Sequence, residues 1–352
     1  MITGSGESLA DLGEWGLIAA LAAQLPPGPG TELGIGDDAA IVSAPSGSVV
    51  AAVDMLLEGR HFLLSWSSGY DIGVKAAARS LADIAAMGAV PTALLVALGA
   101  PGTLTAGWAL DLAAGLAYEA GRAGAGVVGG DTAGADSVLL SVTALGDLSG
   151  RPPLRRAGAR PGDVVAVAGP LGYSAAGHAL LAAGVTSFPA LVAAHLRPAP
   201  PYDAGPEAAL LGATAMIDVS DGLVADLGHV ADASGVWIDI DTSALATGDP
   251  LARAAGALPP PSGTGPPVSP AALALRWALA GGEDHSLVAA FPPAAALPAR
   301  WRVIGTVREA VVIARGEPGA DAGGAAGGPA RAGRVTVDGV PYEGPGGWQH
   351  FR

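Results

Sequence analysis

The sequence contains no cysteine and little charge, with only 14% of its 352 residues charged. The missing cysteine excludes disulfides, thiolate catalysis and zinc–thiolate centres. Basic residues are scarce, since 18 Lys and Arg stand against 32 Asp and Glu, and the net charge is −14. This charge argues against nucleic acid or an anionic membrane surface as the main partner. If the substrate is an anion, the protein must recruit metal cations to hold it.

Long hydrophobic runs are also missing. Apolar stretches such as Thr92–Ala100 are far too short to span a bilayer, so no membrane partner is expected. The N-terminal segment carries Glu7, Asp11 and Glu14 without a basic region, which is not the pattern of a signal peptide. We therefore expect a cytoplasmic protein.

Small and apolar residues are abundant instead. Half of the residues are hydrophobic and 54 are glycine, so a large core is available, and the length suggests two domains. Strand-like runs alternate with helical patterns, which predicts an α/β fold or α+β layers. The predicted helices are Ser8–Leu25, Asp71 to about Met87, and Ala106–Gly121. Asp71 is the predicted cap of the second helix, and Gly88 is predicted to follow its end. The predicted strands are Val49–Asp54, Thr92–Gly99, Gly126–Gly129, Val138–Leu145 and Val164–Ala168.

A polar, proline-containing stretch at Gly146–Arg151 marks the predicted domain boundary. We predict an N-terminal domain over residues 1–148 and a C-terminal domain over residues 149–352. Two low-complexity segments, near 258–270 and 316–333, are predicted to be flexible surface insertions.

Aspartate recurs where apolar runs end, beginning with a pair that follows a Gly-x-Gly turn. The set is Asp38, Asp54, Asp83, Asp131, Asp218 and Asp221. Carboxylates grouped in this way suggest sites for a hard cation such as magnesium beside phosphate. Ordinary alternatives stay open, because Asp and Gly suit turns and Asp83 can pair with Arg79 one turn earlier. Ser220 or Asp221 can equally cap a helix that begins at Leu223.

Two other stretches and one histidine are open to more than one interpretation. Gly169–Gly177 is a glycine-rich turn entering a helix and can cradle phosphate, but it matches neither a Walker A loop nor a dinucleotide fingerprint. The paired acids of Gly281–Asp284 suit a turn as well as a site. His61 is more simply interpreted as a core or surface residue than as a ligand.

Eight stretches together resemble the thiamine-monophosphate kinase family in their order and approximate spacing. They are Gly34–Ala40, Asp54–Phe62, Leu81–Pro91, Gly129–Thr132, Leu154–Asp163, Asp218–Leu223, Gly281–Leu287 and Gly347–Phe351. The resemblance covers nearly the whole chain outside the two insertions. It implies the two-domain fold of the aminoimidazole ribonucleotide synthetase superfamily, with an N-terminal sheet that pairs across a homodimer. It also implies ATP-dependent phosphorylation of thiamine monophosphate to thiamine diphosphate, with several magnesium ions.

The resemblance also assigns roles to individual residues. The implied magnesium ligands are the six aspartates Asp38, Asp54, Asp83, Asp131, Asp218 and Asp221. The implied ATP contacts are Gly130, Asp131, Arg156 and Ser220, and the implied contacts to thiamine phosphate are His61, Glu283 and Trp348. Asp83 and Arg156 are the implied catalytic residues, with Arg156 stabilising phosphate charge. The chain departs from the family pattern at Met55, Ala82 and His285, where threonine, serine and tyrosine are usual.

The implied reaction needs no general base. A phosphate monoester has its second pKa near 6, so its oxygen is already an anionic nucleophile at neutral pH and direct in-line transfer is expected. Two alternatives stay open: a sister ATP-using enzyme of the superfamily acting on a purine precursor, and a non-catalytic nucleotide- or metal-binding paralogue. The absence of cysteine disfavours the members that act on selenide or in hydrogenase maturation.

Overall fold

The computed structural model describes residues 8–35, 39–245, 249–259, 268–310, 335–344 and 347. Up to residue 147 the elements are α1 (Leu9–Ala22), β1 (Thr31–Leu33), β2 (Ile41–Val42), β3 (Val50–Leu57), α2 (Gly69–Ala86), β4 (Val90–Ala100), α3 (Ala106–Arg122), β5 (Gly126–Gly134) and β6 (Leu139–Asp147). The helices and strands predicted from the sequence in this half are confirmed, with shifted ends.

Serine side chains start the first two helices. Ser8 and Ser68 each form a capping box with an aspartate three residues later. Asp71 is therefore the acid inside the box of α2 and not the N-cap residue predicted from the sequence, because Ser68 already accepts its backbone N–H. Gly88, with φ of 74°, follows the end of α2 as predicted.

The four strands β3-β6-β4-β5 form one sheet, and α2 lies against it beside α3. Burial alternates along β6, where Val142 and Ala144 are fully buried and Thr143 between them is only half-buried. The two helices approach closely because glycines face one another: a Cβ on Gly73 would lie 2.2 Å from the carbonyl oxygen of Leu112. The opposite face of the sheet exposes Val53 and Met55, by 63% and 50%.

The C-terminal half is built around a seven-stranded sheet of order β13-β12-β9-β11-β7-β10-β8. Its elements are β7 (Val164–Ala168), α4 (Tyr173–Ala182), α5 (Pro189–Leu196), α6 (Ala204–Leu210), β8 (Ala215–Asp218), α7 (Leu223–Ser234), β9 (Trp237–Ile240), a 3₁₀ turn (Thr242–Ala244), α8 (Asp249–Ala257), α9 (Pro270–Ala280), β10 (Leu287–Phe291), β11 (Trp301–Arg308), β12 (Val335–Val337) and β13 (Val340–Pro341). Strand β10 is buried along its whole length between β7 and β8. The turns at the ends of these central strands face the N-terminal half. They form the part of the candidate site that the C-terminal half contributes.

Strand β5 continues past Gly129 to Gly134, so Asp131 lies inside a strand and not after one. The segment 316–333 and most of 258–270 lie outside the described residues, and the domain boundary at 148/149 stays a prediction. Within the described part of the chain, no helix combines the length and apolarity needed to cross a membrane.

Candidate active site

A cavity of about 610 Å³ lies between the two halves of the chain. Its volume is typical of a small-molecule site. The N-terminal half contributes Asp54 from β3, residues of the segment 59–66, and Arg79 and Asp83 from α2. The C-terminal half contributes the start of α4, the end of α9, and the turns at 218–221 and 281–285.

One side of this cavity collects carboxylates. Asp54 lies on β3, where its Oδ2 accepts the hydroxyl of Ser80 at 3.1 Å, and Asp83 lies in the last turn of α2. Asp218 ends β8, and Asp221 follows in the turn. Burial, together with the charges of Asp218 and Asp54, raises the pKa of Asp83 to about 8. These carboxylates repel one another, which is the arrangement that a bound cation stabilises.

The donor set fits magnesium in its chemistry, because every candidate ligand is a hard carboxylate oxygen. Among the described residues, no group of three His, Asp or Glu side chains has the geometry to hold a metal ion by itself. Magnesium usually keeps several waters and takes phosphate oxygens as ligands, so a small number of carboxylates per ion is ordinary. Asp38 lies outside the described residues.

Glu283 is the exception among these acids, because it is fully paired. Lys75 Nζ and Arg79 each lie 2.9 Å from one of its two carboxylate oxygens. Burial acts to raise the pKa of Glu283, but Lys75 and Arg79 outweigh it and hold the pKa at about 2. Its backbone has φ of 64°, which is uncommon for a residue with a side chain. The ion pairs join α2 to the turn 281–285 and so connect the two domains.

The sequence singled out neither Lys75 nor Arg79 as a site residue. The signal was present, since Lys75, Arg79 and Asp83 lie four residues apart and share one stripe of α2. The expected alternative was an Arg79–Asp83 pair, whereas Arg79 lies 2.9 Å from Glu283 and 3.9 Å from Asp54.

Asp284 contacts the glycine-rich turn at 169–177, which the sequence suggested as a possible phosphate cradle. Its carboxylate accepts the backbone N–H of Gly172 and, at 2.8 Å, that of Ser174. The N-terminus of α4 is therefore capped by an internal carboxylate, and the phosphate-cradle interpretation of this turn is wrong. Gly172 is required there, because it has φ of 79° and a Cβ would lie 2.7 Å from the backbone N of Ala278.

Two of the histidines that line the cavity, His61 and His285, differ in their contacts. His61 is buried, and its Nδ1 accepts the backbone N–H of Leu57 at 3.0 Å, as a core histidine would. His285 is 2% exposed, and its Nδ1 lies 3.0 Å from Oδ2 of Asp218. Its Nε2 has no hydrogen-bond partner among the described residues. His285, which stands where the family usually has tyrosine, therefore places its imidazole in contact with a predicted magnesium ligand.

Ser220 and Asp221 also line the cavity, but neither caps the next helix. Gly222 occupies the N-cap position of α7, and the carboxylate of Asp226 accepts the backbone N–H groups of Asp221 and Gly222. The capping interpretation is therefore wrong, and both side chains stay available to a ligand.

Among the predicted site residues that the structure describes, Gly130, Asp131 and Arg156 do not line this cavity in the single chain. Asp131 is exposed on β5, at the opposite edge of the four-stranded sheet from Asp54. Register places Asp131 in the cross-strand row that contains Met55, on the face without helices. A Cβ on Gly130 would lie 1.9 Å from the carbonyl oxygen of Val96, which explains that glycine by packing. Arg156 is exposed, and Trp348 lies outside the described residues.

Comparison with known proteins gives consistent matches over almost the entire chain. The family models of the AIR synthase related proteins match residues 36–148 with the N-terminal domain and residues 160–275 with the C-terminal domain. The thiamine-monophosphate kinase of Mycobacterium tuberculosis is 47% identical over 345 residues, which cover 98% of this chain and 93% of that protein. The Escherichia coli thiamine-monophosphate kinase is 38% identical over 268 residues, or 74% of this chain and 77% of that protein.

Solved structures agree with these matches. AaThiL complexed with AMPPCP and TMP is 31% identical, with a TM-score of 0.70 over 97% of this chain and 98% of that one. The thiamine-monophosphate kinase of Stenotrophomonas maltophilia is 30% identical, with a TM-score of 0.72 over 93% of this chain and 96% of that one. The fold is therefore the two-domain α/β fold of AIR synthase related proteins, and the chain belongs to the thiamine-monophosphate kinase family.

Proposed function

We propose that this protein transfers the γ-phosphoryl group of ATP to thiamine monophosphate and so forms thiamine diphosphate in thiamine diphosphate biosynthesis. The observation that carries the proposal is the convergence of carboxylates from both domains, Asp54 and Asp83 with Asp218 and Asp221, on one cavity. Both substrates are anions and the protein is acidic, so cations must lie between carboxylates and phosphates. The presence of AMPPCP and TMP together in AaThiL supports this assignment.

Magnesium, when bound, neutralises phosphate charge and aligns the two substrates. The residues that would hold it here are Asp54, Asp83, Asp218 and Asp221, with Asp38 and Asp131 as further predicted ligands. His285 orients Asp218 through the contact at 3.0 Å. Glu283, bound to Lys75 and Arg79, fixes the distance between α2 and the turn 281–285, and so keeps the carboxylates of the two domains on one cavity.

The transfer itself is direct and in line. The acceptor phosphate is already anionic at neutral pH, so no side chain needs to remove a proton. Chiral labelling of the γ-phosphate tests this step, because one in-line displacement inverts the configuration at phosphorus. Retention of configuration, or labelled protein after incubation with ATP alone, would contradict direct transfer.

We also propose that the protein acts as a homodimer in which the N-terminal sheets pair. The helix-free face of the sheet exposes Val53 and Met55, and a second copy on this face would bury them. Asp131 lies on the same face, so pairing would place this predicted ligand inside the interface. Sedimentation at micromolar concentration should show a dimer, and a monomer alone would contradict the assembly.

A coupled assay of the purified protein with ATP, magnesium and thiamine monophosphate tests the proposed activity. We expect thiamine diphosphate to form, activity to stop with a chelator, and activity to return with added magnesium. Turnover of ATP with a purine precursor, but not with thiamine monophosphate, would instead indicate the sister enzyme. No ATP turnover with any acceptor would indicate the non-catalytic paralogue. The cytoplasmic location stays a prediction.

A further inference from the structure

The cavity is also lined by a group of aromatic rings. Trp66 lies between β3 and α2, His178 lies on α4, and His195 lies on α5. Trp66 meets His178 edge to face with ring centroids 5.7 Å apart, and His178 meets His195 in the same way at 5.3 Å. We call these three residues the ring wall. It crosses from one domain to the other.

The inner end of the ring wall is fixed by contacts with the rest of the site. His195 is 5% exposed, and its Nδ1 lies 3.1 Å from the hydroxyl of Ser174 and 3.7 Å from the carboxylate of Glu283. Burial and the charge of Lys75 together lower the pKa of His195 to about 3. The imidazole is therefore neutral at physiological pH and does not repel a cation.

The outer end of the ring wall is open to a ligand. Trp66 is half-buried, His178 is exposed, and both line the cavity. The cavity is therefore lined both by carboxylates suited to metal-bound phosphate and by accessible aromatic surface. A ligand that uses both has a phosphate at one end and a planar aromatic group at the other.

We propose that Trp66 and His178 bind the cationic heteroaromatic part of the acceptor, an inference that rests on the proposed function. This contact makes the protein prefer such an acceptor to phosphate esters without rings. The face of an indole attracts a cation, and aromatic rings also gain from offset or edge-to-face contact. Thiamine monophosphate carries a positively charged thiazolium ring and an aminopyrimidine ring, so it meets both requirements. With the rings on Trp66, its phosphate points toward the carboxylates.

Steady-state kinetics of Trp66→Ala tests this subsite. We expect the KM for thiamine monophosphate to rise about tenfold, because the aromatic contact is lost. The KM for ATP should change less than about twofold, because the ring wall is assigned to the acceptor and not to the nucleotide. Trp66→Phe should recover most of the loss and His178→Leu should show a smaller rise. Trp15→Ala is the matched control, because Trp15 lies on α1 and is 79% exposed.

Direct binding separates this role from a general loss of structure. Calorimetry with thiamine monophosphate, in the presence of a non-hydrolysable ATP analogue, should show the same loss of affinity in Trp66→Ala, while the melting temperature and the affinity for the analogue stay near wild type. An unchanged KM for thiamine monophosphate, or an equal rise in both KM values, would overturn the subsite. Failure of the wild-type protein to use thiamine monophosphate would instead overturn the proposed function on which the subsite rests.

Discussion

Two carboxylates of the same cavity, Asp83 and Glu283, have opposite electrostatic surroundings. Burial acts to raise the pKa of both. Near Asp83 the charges of Asp218 and Asp54 add to this effect, and the pKa is about 8. Near Glu283 the cations Lys75 and Arg79 reverse it, and the pKa is about 2.

The difference indicates that Glu283 makes a structural contact, whereas Asp83 belongs to a site for a positively charged ligand. Glu283 has its counter-charges within the chain, so it contributes to the folded state without a ligand. Asp83 faces other acids, and Arg79 offsets their effect only in part, so positive charge from outside the chain would stabilise its ionised form. The same substitution, carboxylate to amide, should therefore have opposite consequences at the two positions.

The largest effect is expected for Asp83→Asn. Activity should fall by about 100-fold or more, because a predicted magnesium ligand becomes a neutral amide. The melting temperature of the metal-free protein should stay near wild type or rise, since one source of carboxylate repulsion is gone. Asp111→Asn, on the exposed side of α3, is the matched control and should leave both quantities unchanged. Full activity of Asp83→Asn would remove Asp83 from the predicted ligands.

Glu283→Gln is expected to act on stability first. It leaves Lys75, which is 2% exposed, without its carboxylate partner, and breaking such a pair costs about 3 kcal/mol of unfolding free energy. Chemical denaturation measures this loss, with Glu343→Gln at an exposed position as the control. The double variant Lys75→Met and Glu283→Gln should recover part of it, because the uncompensated buried charge is then absent. An unchanged unfolding free energy in Glu283→Gln would contradict the structural role.

Much of the fold was predictable because its signals are local. Strand Val164–Ala168 was predicted residue for residue, and the helix beginning at Ala106 was placed within a residue of its observed end. The cap of α2 was assigned to Asp71 and not Ser68, because a capping box contains both residue types and only the backbone geometry separates their roles.

The sequence predicted the acidic residues of the candidate site but not its cationic residues. Aspartates after apolar runs are visible in the sequence, whereas the pairing of Lys75 with Glu283 joins positions 208 residues apart. Nothing local indicates such a contact. The ring wall was missed for the same reason, since Trp66 and His178 come together only when the two domains pack. The phosphate-cradle interpretation failed because Asp284, distant in sequence, already occupies the helix N-terminus.

His285→Phe tests how the acidic side is held together. Asp218 should lose the group that orients its Oδ2, so the magnesium concentration for half-maximal activity should rise about tenfold. Manganese binding measured by electron paramagnetic resonance should weaken equally, which separates a positioning role from a loss of turnover. His285→Asn keeps a side-chain donor and should recover part of the affinity. Unchanged metal binding in His285→Phe would show that Asp218 needs no such partner.

The smallest expected effect is a pH dependence that distinguishes Glu283 from an ordinary exposed acid. Because its folded pKa of about 2 lies below the ordinary value of 4.5, its stabilising contribution is fully present above pH 4.5 and is lost as the pH falls through 2. The difference in unfolding free energy between wild type and Glu283→Gln should therefore be constant from about pH 5 to 7 and should shrink progressively below pH 4.5. Denaturation at a series of pH values between 3 and 7 measures this difference, with Glu343→Gln again as the control. A difference that grows on acidification would mean that the folded state holds the protonated form of Glu283 better than the ionised one, and would contradict its pairing with Lys75 and Arg79.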